Sequence, residues 1–202
     1  MPDANPGLYL VAPPILDGDG SDALASVLDA AAVACLRLDL AGDDAAVSRM
    51  AAAARDVAAA RGVPVVITDH AGLVRSLGLD GLHLTDARAL GRLRREWGDG
   101  PILGARCGAS RHDGMVAGEA GADYVAFGPV GRTALGLGDV AGRDLFAWWA
   151  EMIEVPVVAE GALDAGAVER LAPHVDFFAV GPEIWGADDP AAALMRLTAP
   201  LR

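Results

Sequence analysis

Eight short apolar runs recur along the chain, at 8–12, 34–38, 64–67, 81–84, 102–105, 124–127, 156–159 and 177–180. Runs of four or five residues bounded by Gly, Pro, Asp and Ser read as buried strands rather than helices. Alanine-rich segments lie between them and carry helix start signals. Ser21-Asp22 opens a helix predicted over 22–31, Asp43-Asp44 one over 44–61, and Asp86 one over 87–96. Ser110, with Asp113 three residues on, opens 111–120 in the manner of a weak capping box. Asp164 opens 165–172, and Asp188-Asp189-Pro190 opens the last helix, where proline suits an early helical position. Gly62, Gly78 and Gly121 stand just before strands, where helices commonly stop.

Eight strand–helix units without an intervening linker predict one α/β domain over 1–202, a closed (β/α)8 TIM barrel. An open doubly wound sheet is the alternative, because a hydrophobic period does not record whether the first and last strands pair. In both folds ligands bind beyond the carboxyl ends of the strands, so the residues that follow each run carry the candidate chemistry.

With 53% hydrophobic residues, the chain can bury a core without disulfides or structural metal. Its net charge of −12 is spread along the chain and argues against nucleic acid or an anionic membrane as partner. No run approaches the roughly 18 apolar residues of a membrane span, and the N-terminus does not resemble a signal peptide, so a cytoplasmic location is expected. Cys35 and Cys107 lack metal or redox spacing and read as reduced thiols. All 16 basic residues are arginine, which excludes Schiff-base chemistry on lysine. A small phosphorylated substrate stays compatible with the acidic surface, because salt screens that field beyond about 8 Å. The pattern leaves a monomer or a homo-oligomer open.

The rim residues are far more polar than the strands. Arg37 and Asp39 follow run two, Asp69 and His70 run three, and Asp86 and Arg88 run four, which itself contains His83. Arg106 follows run five, Gly128, Arg132 and Thr133 run six, Glu160-Gly161 run seven, and Gly181-Pro182 run eight. Glycines after the last three strands let a ligand approach backbone amides, as in a phosphate cradle, although each could equally serve a tight turn. The repeated punctuation DYVAFGP (123–129) and DFFAVGP (176–182) suggests two related strand ends on one rim. Asp69 and Asp86 end neighbouring strands and could share a Mg2+; either could instead cap the helix that follows it. His83 alternates with Leu82 and Leu84, so it lines the barrel mouth or is a hydrogen-bonded core histidine. Glu160 could act as a base, bind a ligand hydroxyl or pair with an arginine.

Several stretches together resemble the thiamine-phosphate synthase family, including its TenI-type thiazole tautomerase branch. They are GLYLVAPP (7–14), ITDH (67–70), GLDGLHLTD (78–86), GADYVAFGPVGRT (121–133), PVVAEGAL (156–163) and VGPEIW (180–185), and the fourth is the most specific. Synthases of this family join a pyrimidine methyl pyrophosphate to a thiazole phosphate and release pyrophosphate. The resemblance implies a TIM barrel, Mg2+, Arg37 and Asp69 at the pyrophosphate end, and Gly128, Thr133, Gly161 and Gly181 at the thiazole-phosphate end. The chain departs from the family pattern at several points. Cys35 and Asp39 flank Arg37 where the family has glutamine and lysine, and Thr68 and His70 flank Asp69 in place of asparagine and arginine. Arg88 stands at the family's second Mg-associated aspartate, with Asp86 at a glutamine position, and Glu160-Gly161-Ala162 replaces a glycine pair. Arg88 or Arg106 could restore the missing positive charge, and Asp86 the displaced carboxylate. Three functions follow: the transferase; a thiazole phosphate tautomerase using His70 or Glu160 as acid/base; or a non-catalytic barrel that binds a phosphorylated ligand.

Overall fold

Alternation along the strands sorts side chains to two sides of a closed sheet. The computed structural model describes residues 5–16, 18–132 and 139–202. In chain order the elements are β1 (Gly7–Val11), α1 (Gly18–Ala30), β2 (Val33–Leu38), α2 (Asp44–Ala59), β3 (Val65–Thr68), α3 (Ala71–Leu77), β4 (Gly81–Leu84) and α4 (Leu90–Trp97). They continue with β5 (Ile102–Arg106), α5 (Arg111–Glu119), β6 (Tyr124–Phe127), α6 (Arg143–Met152), β7 (Val157–Glu160), α7 (Ala165–Leu171), β8 (Phe177–Val180), α8 (Pro182–Trp185) and α9 (Pro190–Leu197). All eight strands are parallel and pair in sequence order, and β8 closes on β1 through Leu8 opposite Phe178 and Leu10 opposite Val180. The barrel is therefore the fold, and the open sheet is excluded.

Leu10, Leu36, Ile67, Leu82, Leu103, Val125, Phe127, Phe178 and Val180 point outward into one large core beneath the helices. A smaller inner cluster of Tyr9, Val11, Cys35, Val66, Tyr124, Ala126, Val158 and Ala179 fills the barrel itself. Gly104 makes room inside: a Cβ there would lie 1.9 Å from the Tyr124 ring. The Tyr124 ring takes that space and closes the barrel floor against Tyr9, their centroids 5.4 Å apart.

The helix caps act as the sequence predicts. Asp43, Ser110, Asp164 and Asp189 each accept a hydrogen bond from the amide three residues on. Such a cap contributes about 1 kcal/mol. Gly62, Gly78 and Gly121 have positive φ where the chain leaves a helix. Three details differ from the sequence reading. Helix α1 starts at Gly18 rather than 22, with Asp19 in its first turn complementing the helix dipole. Asp86 caps a short 3₁₀ turn, Ala87–Ala89, before α4 begins. The Gly181-Pro182 end leads straight into the extra helix α8, because proline at its first position needs no amide donor.

Candidate functional site

Arg37, His83, Arg106 and Glu160 all belong to strands rather than to the loops after them, and period-two alternation turns them to the inside of the barrel. Arg37 is 7% exposed, and its guanidinium spans the mouth. It donates to Glu160 Oε2 at 2.8 Å and to Asp39 Oδ2 at 3.0 Å. Burial alone disfavours the charge, but Glu160 and Asp39 outweigh it and push the Arg37 pKa up. Arg106 is the opposite case. Its side chain is half exposed, and its Nε lies 3.6 Å from Glu160 Oε1. Two cations and two carboxylates thus form one line across the mouth, Asp39–Arg37–Glu160–Arg106, with Arg106 the loosely held end. Glu160 is paired with arginine, one of the fates its position allowed.

His83 is 1% exposed and lies behind Arg37, so it is the hydrogen-bonded core histidine and not a mouth-lining residue. Arg37 Nη1 is 3.3 Å from His83 Nε2, and His83 Nδ1 is 2.9 Å from the Tyr124 hydroxyl. A guanidinium can only donate, so Nε2 accepts and the proton of the neutral imidazole sits on Nδ1, facing Tyr124. The Tyr124 and Tyr9 hydroxyls share the next hydrogen bond, at 2.5 Å. This chain turns Arg37 toward Glu160 from below. Burial first, then Arg37 and Arg106, hold the His83 pKa well below its ordinary 6.5.

A pH effect on stability follows. Below pH 6.5 the unfolded chain takes up a proton that folded His83 refuses, so stability falls with decreasing pH, by up to about 1.4 kcal/mol per unit, until the depressed folded value is reached. His174, also lowered by burial and by Arg143, adds a slope of the same sign. Urea midpoints measured between pH 6.5 and 5 should therefore drop more steeply for the native chain than for His83→Gln. Parallel slopes would remove His83 as the cause.

The mouth holds two adjoining cavities. One of about 410 Å³ lies among Arg37, Arg106, Gly128, Glu160, Gly161 and Pro182. The other, about 450 Å³, lies among Thr85, Asp86, Arg88, Arg106 and Asp113. Arg106 lines both. A third, apolar cavity of about 270 Å³ at the amino ends of the strands, between Pro64, Ile102 and Phe177, has Tyr9 and Tyr124 in its wall.

Asp69 has φ +58°, and its carboxylate accepts from the Thr85 amide at 3.1 Å and the Thr85 hydroxyl at 2.5 Å. Asp86 is engaged by the Arg88 amide and guanidinium, which lower its pKa to about 2. The two carboxylates thus have separate partners, and among the described residues no three His, Cys, Asp or Glu are gathered to hold a metal. An ionised carboxylate offers about four lone-pair sites, so Asp69 keeps acceptor capacity for a cation. Asp86 already has its cation in Arg88. His70 precedes α3 and lies in a separate groove with Asp44, Leu73 and Ser76, outside both mouth cavities. Arg132 is exposed and lines neither cavity. Thr133 lies outside the described residues. Cys35 and Cys107 are free and buried, and burial pushes both thiols up to about 12.

The glycines of the expected cradle have packing duties. A Cβ on Gly128 would sit 2.2 Å from the Glu160 carbonyl oxygen, and one on Gly181 2.7 Å from Val11 Cβ. Gly161 turns the chain at φ +77°. The Gly128-Pro129 bond is cis, whereas Gly181-Pro182 starts a helix, so the two similar strand ends continue differently. Glu183 is the participant that reading the rim missed. Its carboxylate accepts from the Gly181 amide at 3.0 Å and the Leu163 amide at 3.2 Å. Its only sequence signal is a carboxylate two residues past a strand-ending glycine.

Residues 8–184 match the family model described as thiamine monophosphate synthase. The chain is 38% identical over 195 residues to a thiamine-phosphate synthase of Rhodospirillum centenum, with 93% of each chain covered. It is 38% identical over 200 residues to one of Hyphomonas neptunium, covering 94% of this chain and 90% of that one. Among solved structures, a thiamine phosphate pyrophosphorylase from Pyrococcus furiosus superposes with TM-score 0.83 at 20% identity, over 96% of this chain and 95% of that one. A 3-hexulose-6-phosphate synthase superposes at 0.69 and 18% identity, over 96% of this chain and all of that one. At such identities the structural likeness speaks to the barrel alone.

Proposed function

This chain belongs to the thiamine-phosphate synthase family, and we propose that it carries out the joining reaction itself, as a transferase. In that reaction the bond between the pyrimidine methyl carbon and the pyrophosphate oxygen breaks. The carbocation left behind is captured by the lone pair of the thiazole nitrogen. Pyrophosphate departs with the bonding electrons, and the positive charge ends on the thiazolium ring. No proton moves.

That last feature carries the reading. None of the three acid/base candidates expected at the rim is free in the mouth: His83 is buried behind Arg37, His70 faces another groove, and Glu160 is held between two arginines. A tautomerase needs a proton-transfer group. A reaction through a carbocation needs instead charge placed around a leaving group and a partner held in line. Two adjoining cavities suit two substrates. The thiazole phosphate is assigned to the cavity beside Gly128 and Gly161, and the pyrimidine pyrophosphate to the one beside Thr85 and Arg88.

The chain has no lysine for the leaving group, and Arg106, shared by both cavities, is the exposed cation best placed to serve it. Asp69 is the carboxylate that would hold Mg2+, an ion that proteins commonly bind through one or two carboxylates. Bound there, Mg2+ supplies positive charge to the leaving group. Asp69 itself is oriented by Thr85, so its carboxylate stays fixed beside the second cavity.

Incubating purified protein with both thiamine precursors and Mg2+ should release pyrophosphate, and chelation should stop the release. Arg106→Gln should lower kcat/KM by about ten- to a hundred-fold, the value of one charge-assisted hydrogen bond. Tautomerisation of the thiazole phosphate without pyrophosphate release from the pair would replace this reading.

A further inference from the structure

The loops after β7 and β8 form the quadrant where barrels commonly receive a phosphate. Here two amides of that quadrant are already satisfied by an anion of the protein's own. Leu163 N–H, from the loop after β7, donates to Glu183 Oε1 at 3.2 Å. Gly181 N–H, at the end of β8, donates to Glu183 Oε2 at 3.0 Å. Each carboxylate oxygen takes one amide, and the two donors come from different strands. A phosphate monoester presents oxygens able to take the same two bonds. Glu183 is half-buried, so its side chain has solvent beside it into which it can turn.

We infer that Glu183 is an internal carboxylate ligand of this phosphate quadrant, displaced when a phosphorylated substrate enters, and thereby the residue that sets which anions the site accepts. A tethered competitor acts at a high effective concentration, on the order of millimolar or more for a short connection. Free inorganic phosphate, with nothing but its charge to offer, competes poorly against it. A phosphate ester whose ring also fills the neighbouring cavity of about 410 Å³ has the additional contacts needed to displace it. Glu183 thus makes the quadrant selective for phosphate attached to a ring over phosphate alone. The proposal rests on the reading that a phosphate enters here, but it does not depend on the chemical step.

The test is therefore binding, with no turnover. Inorganic phosphate is titrated calorimetrically into the native chain, Glu183→Gln and Glu183→Ala, each also unfolded thermally with and without phosphate. Glu183→Ala is expected to bind inorganic phosphate at least about tenfold more tightly than the native chain, one charge-assisted hydrogen bond's worth of competition being removed. Glu183→Gln, which keeps the shape and loses the charge, should fall between them. Without phosphate Glu183→Ala should melt below the native chain, and phosphate should recover the difference by filling the vacated amides. Phosphate affinity unchanged or weakened in both variants would overturn the proposal, as would a Glu183→Ala melting point that phosphate fails to raise. Should Glu183→Ala not fold, Glu183→Gln still decides, since phosphate affinity unchanged or weakened on loss of the charge overturns displacement. Because inorganic phosphate is the probe, a chain that proves inactive as a synthase can still pass or fail this test.

Discussion

Replacing Arg37 by methionine will cost about 3–5 kcal/mol of stability and abolish turnover. The change keeps a long side chain in the barrel and removes the charge. Glu160, 8% exposed, would then be left, among the described residues, with only Arg106, 3.6 Å away at the solvent-facing end. Asp39 would lose its guanidinium partner, and His83 Nε2 its donor. Removing one member of a buried ion pair carries this large a penalty because the remaining charge stays desolvated. For a chain of about 200 residues that corresponds to a fall in Tm of roughly 10 °C or more. The companion variant Arg37→Met/Glu160→Gln removes the orphaned charge and should regain most of the loss, since replacing a whole buried pair is often near neutral. Turnover should stay absent in both, because both lack the Arg37 guanidinium that lines the first mouth cavity. Guanidinium denaturation decides the stability half. A single variant as stable as the native chain would show that the line of charges across the mouth does not support the fold.

Gly128→Ala should be the most damaging single-methyl change at the mouth. Its Cβ would lie 2.2 Å from the Glu160 carbonyl oxygen and 2.8 Å from Glu160 Cγ, well inside any tolerated contact. The peptide cannot turn away easily, because Gly128 N–H is bonded to Gly108 and the Glu160 carbonyl accepts from Val130. The ends of β6 and β7 must therefore separate. Overpacking of this kind costs about 1–3 kcal/mol. The effect on activity should exceed that, because the residue displaced is the carboxylate that holds both Arg37 and Arg106. Gly72→Ala, in α3 with open space around its Cα, should be neutral or slightly stabilising, by up to about 1 kcal/mol. Thermal unfolding and pyrophosphate release measured on the pair separate the two effects. Equal behaviour of the two variants would mean that the β6–β7 junction can relax and that the glycine serves only the turn.

What could be read from the chain was what is decided over a few neighbouring residues. Strand positions came within a residue or two, because four-residue apolar runs bounded by glycine, proline and aspartate leave little choice. The caps at Asp43, Ser110, Asp164 and Asp189 were legible because a cap joins residues three apart. Alternation placed His83 opposite Leu82 and Leu84 and so inside the barrel. The motif GADYVAFGPVGRT carried the family resemblance that residues 8–184 uphold.

Other features depend on pairings that a linear reading cannot rank. Whether β8 meets β1 is settled by register between segments some 170 residues apart, so alternation alone could not separate a barrel from an open sheet. Glu160 could have been a base or a counter-ion; it is a counter-ion because closure brings it opposite Arg37, 123 positions away. His70 and Asp86 sit at the right places in the chain. Yet His70 faces outward into another groove, and Asp86 is engaged by the arginine two residues on. The glycines that looked like room for a ligand are first of all room for neighbouring strands, and Glu183 holds the amides nearby. By itself the sequence determined the elements, their order, the family and the rim to examine. The tertiary structure decided which charges meet, because a desolvated arginine or carboxylate takes whatever partner the closed barrel brings within hydrogen-bonding reach.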